Sequence, residues 1–149
     1  MNVNSDFKEL LQYLNKEGVK YLVIGAHAVM TYTEPRYTKD LDIWIEPTID
    51  NAGAVLKALS VFGAPSVAVT AQDLTDPEII YQVGVAPVRV DIISHIPGLL
   101  FETAWPKRTT IELDGLSVFI IGKDDLITSK MASGRKQDKA DIRSLKKKR

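Results

Sequence analysis

The chain has 149 residues, 45% hydrophobic and 26% charged, which suits one folded domain with one core. Its 19 basic and 19 acidic residues cancel, so no whole-molecule field draws it to nucleic acid. The absence of cysteine excludes disulfides, thiolate catalysis and cysteine-ligated zinc, and two distant histidines, His27 and His95, argue against a histidine zinc site.

The opening stretch MNVNSDFKELL lacks a basic start and an apolar signal core, and no apolar run approaches the ~20 residues of a membrane helix. A cytoplasmic location without membrane contact is the expectation. Ser5-Asp6 offers a cap, and Phe7, Leu10, Leu11 and Leu14 recur at helical spacing until Gly18. Val19–Ile24 is apolar and β-branched, a buried strand that ends in Gly25-Ala26. Main-chain amides at a strand-to-helix junction can cradle phosphate, and glycine lets the phosphate approach. His27–Thr33 reads as a short helix stopped by Pro35, with His27 more simply a structural residue than a functional one. Arg36 and Lys39 can meet phosphate charge, or form a solvated basic loop. Thr38 is placed to orient Asp40 through its hydroxyl.

Next comes Asp40-Leu41-Asp42-Ile43. Strand alternation projects both carboxylates from one face while Leu41 and Ile43 enter the core. Carboxylates so close resist joint ionisation unless a cation lies between them, and a hard cation such as Mg²⁺ suits oxygen donors. Thr48 caps a helix closed by Gly63, with Ala52, Val55, Leu56 and Leu59 on one face, and a following strand is expected beside the Asp40 strand. Asp50 and Asp73–Asp76 read as capping residues. Glu78–Val83 is a strand, Gly84–Pro87 a turn, and Val88–Ile93 a strand carrying the single carboxylate Asp91. A carboxylate in an apolar strand needs a cation, a hydrogen-bond network or solvent, and Arg89 is a candidate partner. Ile96–Arg108 is irregular, with Phe101 and Trp105 assigned to packing rather than base stacking. Asp114-Gly115 joins two strands, Thr109–Leu113 and Leu116–Ile121, in a hairpin. A last helical region opens at Gly122–Asp125. The mixed charges of Arg135–Asp141 read as solvated surface, and 143–149 as a disordered basic tail. The whole, 1–149, is expected to form a single α/β (α+β) domain, a mixed five- to six-stranded sheet with helices packed on it.

Ile24-Gly25-Ala26, a spacer from His27 to Lys39, and then Asp40-Leu41-Asp42-Ile43 resemble the signature of the nucleotidyltransferase superfamily, with its polymerase-beta-like fold. Arg36–Asp42 and the late Lys130–Asp141 stretch are similar to small bacterial members, including the toxin-type transferases of abortive-infection and toxin–antitoxin systems. Ala26 stands where glycine or serine is usual, keeping the amide but losing a hydroxyl. The resemblance implies transfer of a nucleoside monophosphate from a triphosphate such as ATP to a hydroxyl on a protein, an RNA (transfer RNA included) or a small molecule. It implies Asp40, Asp42 and Asp91 as catalytic, metal-holding carboxylates for two Mg²⁺ ions, with Mn²⁺ as the alternative. Gly25 and Ala26 would hold phosphates, with Arg36, Thr38 and Lys39 beside them and Lys130 reaching the triphosphate. An antitoxin-like partner or a second copy would be the companion. The alternative is an inactive nucleotide- or partner-binding module of the same fold.

Overall fold

The computed structural model describes residues 5–64, 69–85 and 88–147. In chain order they form α1 (Ser5–Lys16), β1 (Tyr21–Ile24), α2 (Gly25–Tyr32), β2 (Asp40–Ile45), α3 (Ile49–Phe62), α4 (Ala71–Thr75), β3 (Tyr81–Val85) and β4 (Val88–Ile93). There follow α5 (Phe101–Ala104), a 3₁₀ turn (Trp105–Lys107), the hairpin β5 (Thr109–Leu113) and β6 (Leu116–Ile120), then α6 (Lys123–Ser133) and α7 (Lys136–Lys146). The six strands make one mixed sheet in the order β3-β4-β2-β1-β6-β5.

The pattern of apolar residues explains the layering. All four residues of β1 are buried, which requires cover on both faces of the sheet centre. The stripe Phe7, Leu10, Leu11 and Leu14 supplies part of that cover from α1, which packs against α3. The elements α2, α6 and α7 pack on one another. Thr48 caps α3 by accepting from the Asn51 amide, and Gly63 closes it in the left-handed region. Asn51 itself is buried: its amide nitrogen donates to the carbonyls of Lys20 and Glu46, and its oxygen accepts from the Lys20 amide. One side chain thus ties α3 to the start of β1 and the end of β2.

The pairing of β2 decides what lies beside the aspartates. It runs antiparallel to β1 and parallel to β4, with Asp42 opposite Asp91 and Asp40 opposite Arg89. The strand beside β2 is therefore β4, and β3 pairs outside it. Trp44 shares a face with Asp42, is 1% exposed, and donates from its indole to the Ser94 carbonyl just past β4. A slip of one residue would break that bond and turn both carboxylates to the opposite face.

Several expectations need correction. Gly84 and Val85 belong to β3 rather than to a turn, and residues 86–87 lie outside the described residues. The stretch 96–108 is not wholly irregular, since α5 and the 3₁₀ turn form within it. Phe101 meets Trp44 edge-on at 5.1 Å and stacks on Trp105 at 5.7 Å, which also meets Phe119 edge-on at 5.4 Å and the Arg108 guanidinium at 3.8 Å. Their faces are taken by packing, as expected. The supposed tail begins too early at 143: α7 runs to Lys146 and buries Leu145 completely, while 148–149 lie outside the described residues. Leu145→Ala should therefore cost about 2–4 kcal/mol in urea unfolding. A free tail would show no change.

Candidate active site

The end of β1, the start of β2 and β4 meet where the sheet opens toward α6. Gly25 follows β1 immediately, at φ +68°. A Cβ at that position would collide with Asp42 Oδ2, and the left-handed backbone also favours glycine. The glycine thus makes a notch into which the Asp42 carboxylate fits. Asp42 lies beside Asp91 through the parallel register, with Asp40 on its own face two residues back.

This crowding shows in the acidities. Burial first, then the charges of Asp91 and Asp40, push the Asp42 carboxyl up to about 6, against the weaker opposing pull of Arg89 and Arg135. Burial also raises Asp91, partly offset by Arg89. Asp91 Oδ1 is shielded and has no hydrogen-bond partner among the described residues. Asp40 is differently placed: Arg89 donates from Nη2 to its Oδ2 at 2.7 Å. Among the described residues, no three histidine, aspartate or glutamate side chains converge as a ready cation site. The pair Asp42 and Asp91 still fits a hard divalent ion. It offers oxygen donors only, one orphaned and one abnormally weak as an acid, and a cation would relieve their repulsion.

A cleft of about 550 Å³ opens over the pair. Gly25, Asp42, Asp91 and Lys130 all line it. Ile80, Ile93, Ile96 and Pro97 make an apolar wall, and Ser129, Ser133 and Arg135 line it from α6 and its exit. The other expected residues are not among those lining the cleft. Ala26 is the second residue of α2, next to Gly25. The Thr38 hydroxyl faces the Asp40 main-chain carbonyl at 3.4 Å rather than its carboxylate. Lys39 is exposed, with no ion pair among the described residues. Arg36 forks onto Asp141 at 2.6 and 3.3 Å and lines a separate polar cavity with Pro35 and Ser144. His27 is buried edge-on against Phe7, and neither ring nitrogen has a partner among the described residues. Burial lowers its basicity, so the ring is a neutral packing group.

The stretch Arg135–Asp141 is not the solvated surface expected of it. Asp138 is 1% exposed and Asp141 is 8% exposed. Lys130, itself buried, donates to Asp138 at 3.2 Å and to Asp141 at 3.0 Å. Ser133 and Arg135 also donate to Asp138. The signal lay in spacing: Asp138, Asp141 and Leu145 fall on one face of α7. Three cations (Lys130, Arg36, Arg135) thus hold two carboxylates (Asp138, Asp141), and of the three Lys130 and Arg135 line the cleft.

A family model described as "Nucleotidyltransferase of unknown function" (DUF6036) matches residues 1–146. No curated protein matches the chain in sequence. Solved structures share its fold. The lincosamide antibiotic adenylyltransferase LnuA, bound to lincomycin, superposes with a TM-score of 0.63 at 16% identity, covering 97% of this chain and 96% of that one. ANT(2'')-Ia in complex with adenylyl-2''-tobramycin gives 0.61 at 10% identity, covering 95% and 86%. An antigenic nucleotidyltransferase-like protein from Paracoccidioides brasiliensis gives 0.54 at 21% identity, covering 91% and 70%.

Proposed function

The chain belongs to this nucleotidyltransferase family, and from that membership we propose that Asp42 and Asp91 form the centre at which it moves a nucleotide from a nucleoside triphosphate to a hydroxyl. The observation that carries the proposal is the Gly25 notch, which seats the Asp42 carboxylate against the first turn of α2 and opposite Asp91. The acceptor oxygen attacks the α-phosphorus. A new P–O bond forms as the bond from the α-phosphorus to the bridging oxygen breaks, and pyrophosphate leaves. The acceptor proton passes to Asp91 or to water beside it; a carboxyl whose pKa is held above the ordinary value is a better base than a free one. The Gly25 and Ala26 amides hold the leaving phosphates, helped by the positive N-terminal end of α2. Lys130 and Arg135, which line the cleft, favour the triphosphate on the same side. Asp42 and Asp91 would hold Mg²⁺ or Mn²⁺, a second ion would need Asp40 released from Arg89, and such ions supply charge neutralisation at the phosphate oxygens. The apolar wall leaves the cleft open to an acceptor on a small molecule, an RNA end or a partner protein; ANT(2'')-Ia and LnuA, whose structures hold an adenylylated and a free antibiotic, motivate testing small molecules first.

Calorimetric titration of the four nucleoside triphosphates, with and without Mg²⁺, tests this directly. Saturable Mg²⁺-dependent binding is expected for the wild type and a loss of at least about tenfold for Asp91→Asn. Transfer of label from the bound triphosphate to an antibiotic, RNA or protein hydroxyl then identifies the acceptor; an RNA or protein product would favour a toxin–antitoxin role. Binding without transfer to any acceptor would mark a nucleotide-binding module. A folded protein that binds no triphosphate would overturn the proposal.

A further inference from the structure

Arg89 stands on the same strand face as Asp91 and directly opposite Asp40. Its guanidinium is about one-third exposed and is committed to Asp40 through Nη2 at 2.7 Å. Its Nε lies 3.4 Å from Asp91 Oδ1, as an ion pair without a hydrogen bond, and both atoms are shielded with no hydrogen-bond partner among the described residues. One guanidinium therefore spans two of the three carboxylates. It sits where a second hard cation shared by Asp40 and Asp91 would have to enter, and guanidinium and metal cannot share those oxygens.

We propose that Arg89 is the resident cation of this cluster, a positioning residue that reserves Asp40 and restricts the nucleotide-free protein to a single divalent ion at Asp42 and Asp91. The proposal rests on the reading of Asp42 and Asp91 as a cation site. Its logic is electrostatic. Three carboxylates on two adjacent strands repel one another, and a tethered cation lowers that repulsion before any ion arrives. The same tether competes with a second ion, because a guanidinium held in a short charge-assisted bond must be displaced first. The planar fork explains why arginine serves here: it reaches Asp40 and Asp91 at once, which the point charge of a lysine would not.

The test is Mn²⁺ binding to the nucleotide-free protein, followed by calorimetry and by the loss of the free-ion resonance signal, together with thermal unfolding in EDTA and in Mn²⁺. Wild type should bind one Mn²⁺. Arg89→Met should bind a second, or bind the first at least tenfold more tightly. It should also unfold at a lower temperature in EDTA and recover that loss in Mn²⁺. Arg89→Lys, which keeps the charge without the fork, should fall between them and serves if Arg89→Met does not fold. Identical stoichiometry and affinity in wild type and variants would overturn the role of Arg89 alone. A loss of stability that Mn²⁺ does not restore would reduce Arg89 to a structural pair and overturn it likewise. No Mn²⁺ binding by either wild type or Arg89→Met would instead sink the cation site on which the proposal rests.

Discussion

Asp42→Asn is expected to lose nucleotide transfer by at least about a thousandfold, roughly 4 kcal/mol in the barrier, while making the cation-free protein more stable near neutral pH. Both effects follow from one carboxylate. In the folded chain Asp42 sits at about 6, raised from 3.8 by burial and by Asp91 and Asp40. A raised acid binds its proton more tightly when folded than when unfolded. Its favourable contribution is fully present below about pH 4 and is lost as pH rises through about 6. Above that, the ionised group opposes folding by at most about 3 kcal/mol, each pKa unit being worth about 1.4 kcal/mol. The isosteric amide removes the charge and keeps the shape that fits the Gly25 notch. Urea unfolding in EDTA should show the variant more stable than wild type at pH 7.5, by about 1–3 kcal/mol, with the gap closing toward pH 4. Mg²⁺ should raise the stability of wild type and leave the variant unmoved. A variant less stable at pH 7.5, or one still active, would mean that Asp42 is not the strained centre of the site.

Lys130→Met should cost about 3–5 kcal/mol of stability at pH 7. The lysine is 8% exposed and joins two buried carboxylates. Burial alone would raise both acids. At Asp138 the Ser133 hydroxyl, Arg135 and Lys130 outweigh it, and at Asp141 Arg36 and Lys130 do, so both sit below the ordinary carboxylate range. Acids depressed in this way stabilise the fold above their unfolded pKa, and that contribution is lost as pH falls through the folded value. The deficit of Lys130→Met should accordingly shrink in acid, where both carboxyls are protonated with or without the lysine. Equilibrium unfolding at neutral and acid pH measures both points. A deficit under about 1 kcal/mol would show the ammonium to be weakly held, and its reach toward a triphosphate would become its main role.

The elements readable from sequence were those whose cause is local. The stripe of α1, the Thr48 cap and Gly63 stop of α3, and the Asp114-Gly115 turn between β5 and β6 each depend on neighbours within a few residues. Alternation also placed Asp40 and Asp42 on one face. What sequence withheld was pairing across the chain. The juxtaposition of Asp42 with Asp91 depends on a parallel register that no local pattern encodes. Arg36 finds Asp141 across 105 positions, and so reads as a loose basic residue until the fold is known. Asp138 and Asp141 look solvated because isolated charges normally are; Lys130 and Ser133 from the preceding helix, with Arg135 and Arg36, make their burial tolerable. The end of α7 was missed for the same reason, since Leu145 amid lysines signals nothing until there is a core to enter.

The anchoring of α7 also gives the protein an order of maturation. A ribosome releases Gly25, Asp42 and Asp91 long before Asp138 and Asp141. Until the last helix emerges, Lys130 and Arg36 lack the carboxylates that hold them. A chain shortened before α7 thus keeps Asp42 and Asp91 beside an unfinished wall. A chain cut short ahead of Asp138 would keep Asp40, Asp42 and Asp91 and lose the carboxylates that hold Lys130 and Arg36.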